Sequence, residues 1–325
     1  MSHKLVACML NVSEARNKNV VEKIAGAALS AVNPPAIRPV TSEWRINASV
    51  LNIFRDYDYN RSVITVVSNT DLIGASLEAA CKTAYDLIDL TNHEGVHPRL
   101  GAVDLVPLHP ITENTCLKSL GRVAGDLAGR LTATVPGTSA FLFGSGDPEN
   151  RGLVQRRKEV GWFRKPVRYE KLVHDLGAPP SARYGLTGIG AIPYMMNVNV
   201  TLDTDDVALG RRVAAAIRAT SADGLPGVQA MAFPHEGRIE VACNVDLIPA
   251  ETVSDTSNMK PSLGGKYFYT PAEVIRGRIL AEAGGVQDAG TILVGFTPEE
   301  ILSRALHALT NAHDEAWKMM EKRMM

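Results

Sequence analysis

The sequence predicts an α+β protein of two subdomains, each a βαββαβ unit with a mixed or antiparallel sheet and its helices on the outer face. Three observations carry this. Short apolar runs alternate with longer stretches of helical spacing along the chain. The order of those segments in the first half recurs in the second. Between the halves, near residue 180, lies a stretch that is first basic and then rich in Gly, Pro and Ser.

In the first half, KLVACML (4–10) reads as a short apolar strand. Asn11 follows, and Ser13 is placed to cap a helix within EARNKNVVEKIAGAALSAV (14–32), which NPP ends. Residues 36–46 have no clear period and read as an inserted loop. SVLNIFRD and RSVITVVS are rich in β-branched residues and form a hairpin or close strand pair about YDYN. DLIGASLEAACKTAYDLIDL (71–90) is the clearest helix of the chain, stopping near Leu90 or Thr91. AVDLVPLHP is a strand, followed by a helix near 113–133 and the strand SAFLFG (139–144).

The second half opens on the strand IPYMMNVNVTL (192–202), then a helix over 204–220 with acidic residues in its first turn. GVQAMAFP and GRIEVACNVDL are strands joined by the turn HEG. A helix over 270–284 ends on Gly284 and Gly285, and GTILVGF is the last strand. The repeated order is the split βαββαβ of ferredoxin-like folds. Helices on one face of each sheet leave the other face free to pack or to enclose a cleft.

A chain of 325 residues, 45% of them hydrophobic, has material for two cores. Its 34 basic and 35 acidic residues nearly cancel, so no global field points to nucleic acid. The local exception is RGLVQRRKEVGWFRKPVRYEK (151–171), with eight basic and two acidic residues. It reads either as a solvated helix face or as a positive wall for an anionic ligand. Cys8, Cys81, Cys116 and Cys243 lie far apart without a C-x-x-C pair, the pattern of reduced thiols in a cytosolic protein. No apolar run reaches the roughly 18 residues that span a bilayer, and the N-terminus reads as a strand rather than a signal peptide. The expectation is a soluble, cytoplasmic protein without nucleic-acid or membrane partners.

TNHEGVHPRLGAVD (91–104) contains His93-Glu94-Gly95-Val96-His97, the spelling H-E-x-x-H of a zinc hydrolase. That reading needs both histidines on one helix face. Gly95 opposes it, costing about 1 kcal/mol of helix propensity relative to alanine, and Pro98 pushes His97 out of helical conformation. With no third ligand at a metalloprotease spacing, no metal is expected. A loop histidine with an ordinary pKa of about 6.5 can instead move a proton at neutral pH. The alternative for either histidine, and for His93 in particular, is a structural one capping helix carbonyls.

LNVSEARN, YNRSVITVVS and HEGVHPRLGAVDLVPL together resemble the glutamate formiminotransferase domain of formiminotransferase-cyclodeaminase and its stand-alone relatives. The family carries N-[FV]-S-E-G, N-R-[ST]-V and H-x-G-x-H-P-R-[ML]-G-A-[LV]-D in this order. The likeness covers about residues 4–144 well and YGLTGIGAIPYMMNVNVTLDT more loosely, and no cyclodeaminase part follows. It implies residues 1–180 as the N-terminal subdomain and 181–325 as the C-terminal one. It also implies transfer of a formimino (or formyl) group between an N-substituted L-glutamate and tetrahydrofolate, the co-substrate, by a homodimer that needs no metal. On this resemblance His97 is the general base and Asp58, or Asp56 under a different gap, its orienting carboxylate. Asn11, Asn60, Arg61 and Arg99 fall on substrate- or folate-binding positions, and guanidinium suits the carboxylates of both ligands.

The chain departs from the bifunctional enzymes at three places: Ala15 for glycine, Val96 for an acidic residue, and Ile192-Pro193 for an Arg-Lys pair. These changes define a rival reading, a catalytically idle folate-binding protein of the same fold.

Overall fold

The computed structural model describes residues 4–162 and 167–319. Residues 163–166 of the basic run lie outside the described residues. The chain forms two compact units. One gathers the residues up to Ile192 with the segment that begins at Leu302, and the other is Pro193–Ile301.

The first unit contains β1 (Leu5–Val12), α1 (Lys18–Ser30), β2 (Ala48–Asp56), β3 (Arg61–Asn69), α2 (Ile73–Leu87), β4 (Val103–Pro110), α3 (Leu117–Thr134), β5 (Ser139–Gly144), α4 (Leu153–Glu159), β6 (Leu176–Gly177) and β7 (Thr187–Ala191). They build a seven-stranded sheet in the order β2-β3-β1-β4-β7-β5-β6. The β2-β3-β1-β4 part is antiparallel and is the ferredoxin-like core. Beyond it β4, β7 and β5 run parallel, with α3 as the crossover helix that a parallel connection requires. Every residue of β1 and β4 is buried, as interior strands covered on both faces must be.

The even positions of β1 (Val6, Cys8, Leu10, Val12) pack against Val21, Ile24 and Ala28 of α1, Leu77 and Cys81 of α2 and Leu127 of α3. The odd positions face the other way, and Asn11 is among them. On that second face Leu105, Phe141 and Phe143 meet Leu153, Val160 and Trp162, so α4 and the residues after it cover the sheet there.

The second unit contains β8 (Met195–Leu202), α5 (Val207–Ile217), β9 (Val228–His235), β10 (Arg238–Asp246), β11 (Ile248–Pro249), β12 (Lys260–Ser262), β13 (Tyr267–Tyr269), α6 (Ala272–Glu282) and β14 (Asp288–Leu293). Its main sheet, β14-β8-β10-β9, is antiparallel and repeats the same ferredoxin-like order. A small sheet β11-β13-β12 is added to it. Helix α7 (Pro298–Asn311) begins at the end of this unit and finishes in the first.

Several local expectations change. Ser13 is not a helix cap: α1 starts four residues further on, where the Asn17 side chain accepts from Val20 N, and Ser13 Oγ donates 2.7 Å to Gly101 O. The segment read as a bridge between halves contains β7, which enters the first sheet. The last strand is followed by α7, which the repeat pattern did not include.

Candidate active site

The β2–β3 turn, the segment 93–101 and the end of β1 meet on the sheet face that carries Asn11. Asn60 ties them together. It sits at φ 48°, in the left-handed region that asparagine tolerates better than most residues. Its Oδ1 accepts from Ala15 N (2.9 Å), its Nδ2 donates to Glu94 O (3.0 Å), and its carbonyl accepts from His93 Nε2 (2.8 Å). Ala15 itself does not adopt a positive φ, so alanine at this position carries no backbone strain.

His93 and His97 do not share a helix. A single 3₁₀ turn spans Leu90–Asn92 and the chain is then irregular. Gly95 has a spatial reason: a Cβ there would lie 2.3 Å from Tyr59 O. Among the described residues no group of three or more His, Cys, Asp or Glu side chains is placed to hold a metal ion. His93 is bound to the Asn60 carbonyl rather than to a helix end, and its buried Nδ1 is without a partner.

His97 is the centre of the cluster. Its Nδ1 lies 2.7 Å from Pro98 O, and because a carbonyl only accepts, this nitrogen carries the proton. The bare Nε2 accepts from Arg61 Nη1 at 2.9 Å. Arg61 in turn is held by Asn11, whose Oδ1 accepts from Nε at 2.9 Å and also from Nη2. The Asn11–Arg61 contact follows from register, since Asn11 is paired with Val63 and Arg61 lies two residues along the same face. The Tyr59 ring packs beside the imidazole, with centroids 5.0 Å apart. Burial, followed by the Arg61 charge, holds the His97 pKa well below its usual value, with Arg157 and Arg99 adding to the effect. The imidazole is therefore neutral at neutral pH.

Two further guanidiniums complete the arrangement. Arg99 donates to His93 O (2.9 Å) and Gly95 O (3.4 Å), bracing the loop, while its buried Nε has no partner. Arg157, on α4, lies over the Trp162 ring at 4.2 Å. Burial pushes its pKa down to about 10, and its Nε is also buried without a partner. Opposite these charges stands Asp104, only 1% exposed. Its Oδ1 accepts from Leu100 N (2.8 Å) and Gly101 N (3.3 Å), its Oδ2 has no partner, and burial raises its pKa.

The sequence-predicted residues Asn11, Asn60, Arg61, His97 and Arg99 thus come together. Asp56 ends β2 and Asp58 lies in the β2–β3 turn, where Asp56 Oδ1 accepts from Tyr59 N at 2.8 Å. The two ring nitrogens of His97 face Pro98 O and Arg61. Sequence reasoning did not single out Asp104, Arg157 or Tyr59. Asp104 closes the third sequence element, and Arg157 was one of eight cations in the basic run. Its neighbours there are structural: Arg151 forms a two-point pair with Asp147, and Arg156, 1% exposed, binds Asp175 and Leu142 O.

Chemically, a neutral imidazole can take up a proton, and the buried, unpartnered Nε atoms of Arg99 and Arg157 beside it can pair with an anionic ligand. The chain belongs to the formiminotransferase family: residues 5–192, which include every site residue above, match the formiminotransferase domain, N-terminal subdomain. It is 30% identical to the formiminotransferase cyclodeaminase-like protein of Arabidopsis thaliana, across 95% of this chain and 98% of that one. It is 28% identical to the glutamate formimidoyltransferase of Thermoplasma acidophilum (92% and 89% covered) and to that of Streptococcus pyogenes serotype M1 (92% and 91%). Among the described residues no helix is long and apolar enough to cross a membrane.

Proposed function

We propose that the protein transfers a formimino group between N-formimino-L-glutamate and tetrahydrofolate, with His97 as the general base. The observation that carries this reading is the setting of His97: Nδ1 on Pro98 O and a neutral ring whose Nε2 accepts from Arg61, with Arg99 and Arg157 nearby. Nε2 takes the proton from N5 of tetrahydrofolate as that nitrogen adds to the formimino carbon. The imidazolium so formed, surrounded by cations, is a strong acid. It gives the proton to the glutamate nitrogen as the old C–N bond breaks, leaving glutamate and the N5-substituted folate.

Arg61, Arg99 and Arg157 supply charge for the carboxylates of donor and folate, and the unpartnered Nε atoms of Arg99 and Arg157 fit such ligands. Asn60 and Asn11 act by position, the first fixing the loops and the second fixing Arg61. Asp58, in the turn beside them, is the residue assigned to orient the base. A cytoplasmic homodimer is part of the same proposal, and sedimentation of the purified chain tests the dimer.

A second reading rests on one contact. Arg61 occupies the nitrogen that a base must keep available, which favours an idle folate-binding protein. The experiment that separates the two is formimino transfer from N-formimino-L-glutamate to tetrahydrofolate by the unmodified chain and by His97→Ala. Turnover by the first alone supports the transferase. Folate binding by both, without turnover, supports the idle protein.

A further inference from the structure

A cavity lies in the first unit, walled by the segment that returns from α7. Strand β2 is an edge strand, and the chain after α7 runs beside it: Val50 N donates to Asp314 O (2.8 Å) and Ser49 Oγ to His313 O (2.6 Å). Ala312, at φ 58°, reverses the chain at the helix end, and His313 N closes on Ala308 O (2.9 Å). The reversal brings the His313 ring against that of His307, centroids 5.3 Å apart. Between α7, this turn and β2 is a cavity of about 460 Å³, within the range of small-molecule sites.

Its lining has two characters. Leu51, Ala308 and Ala316 form an apolar floor, while Ser303, Arg304, His307 and His313 form a polar wall. Asn311 Nδ2 lies 3.3 Å from Nδ1 of His307. His313 lines the cavity, and its Nδ1 is buried and has no hydrogen-bond partner. Among the described residues no carboxylate lines the space, and the nearby Glu315 carboxylate pairs with Lys318. Two imidazoles alone would suit a transition metal, but the guanidinium of Arg304 in the same wall repels a cation and attracts an anion.

We propose that this cavity binds a small organic carboxylate, its head met by Arg304 and His313 and its apolar body laid over Leu51, Ala308 and Ala316. The site is separate from that of His97 and does not depend on the function assigned there. Its test is calorimetric titration of the full chain with 2-naphthoate, with 2-naphthylmethanol as the uncharged counterpart and zinc chloride as the metal probe.

The expected result is one saturable 2-naphthoate site. Binding weakens roughly tenfold or more in Arg304→Gln, in His313→Gln and for the alcohol, as the loss of one charge-assisted hydrogen bond requires. Ala316→Trp, which fills the space and leaves every polar group in place, removes binding while circular dichroism shows the fold kept. His97→Ala leaves it unchanged. Any of four outcomes overturns the proposal: no saturable binding at millimolar probe, binding indifferent to Arg304→Gln and Ala316→Trp, binding lost in His97→Ala, or one equivalent of zinc bound with no naphthoate.

Discussion

Arg61 Nη1 lies 2.9 Å from Nε2 of His97, so a permanent cation donates to the one ring nitrogen that has a lone pair to give. Burial, and then this contact, keep the imidazole neutral, and the contact also covers it. On the proposed reading, a carboxylate of the donor that paired with Arg61 would draw the guanidinium from Nε2 and offset its charge, uncovering the base and making it more basic. In the free protein the acid limb of kcat/KM is therefore expected below the ordinary histidine value of about 6.5. Arg61→Gln removes a cation that lowers the His97 pKa, and the limb moves upward in pH while KM for the donor rises. A pH–rate series on the two proteins checks this. An acid limb that stays in place in Arg61→Gln shows that the titrating group is not His97.

The same shift makes a statement about stability. The folded-state pKa values of His93 and His97 are both lowered, in each case chiefly by burial. Below about pH 6.5 the unfolded chain takes up protons that the folded chain refuses. The stability that these histidines contribute is thus present above about pH 6.5 and lost as pH falls toward their folded values. Denaturant unfolding between pH 7.5 and 5 is expected to show a falling midpoint, and His97→Gln to flatten the slope. Equal slopes in the two proteins would mean that His97 titrates alike folded and unfolded.

Much of the site was legible because it lies in short, contiguous sequence elements. Asn11, the Asn60-Arg61 pair and the run from His93 to Arg99 each lie in one of the three motifs that carry the family resemblance. The fold was legible for the same reason in the two ferredoxin-like cores, where period and turn chemistry agree. What stayed hidden depends on long-range pairing. TGIGA (187–191) is too short and glycine-rich to read as a strand, and becomes β7 only because β4 and β5 flank it. Gly188 and Gly190 are required there by Phe141 and Phe143, which would lie within 3 Å of an added Cβ. Arg157 could not be told from its seven basic neighbours, since only the packing of α4 on the sheet decides which side chain turns toward His97.

Asn60 combines an uncommon backbone conformation with three hydrogen bonds to two other loops. Asn60→Ala places an alanine in the left-handed region and leaves Ala15 N and Glu94 O without their partners. The expected loss is about 2–3 kcal/mol, read as a lower denaturant midpoint, with turnover falling further because the His93–Arg99 segment loses its anchor. Asn60→Gly relieves the backbone term alone and is expected to recover only part of the stability. Full recovery by glycine would assign the whole effect to φ and none to the side chain.

Arg157 stands on Trp162, 4.2 Å from the ring centroid, and shares the burial of Asp104 and Arg61. A guanidinium with an unpartnered buried Nε is costly to the folded protein unless a ligand completes its hydrogen bonds. Arg157→Lys keeps the charge and loses the planar fork, so a ligand held in two-point fashion is expected to bind about tenfold more weakly. The loss falls on KM, with kcat reduced less, because the proton-transfer geometry at His97 does not pass through Arg157. Trp162→Leu removes the stack and tests orientation separately: KM rises again, while the protein keeps its net charge. If Arg157→Lys instead lowers kcat at unchanged KM, Arg157 acts on the transition state rather than on the bound carboxylate, and the ligand's charge is met by Arg61 and Arg99.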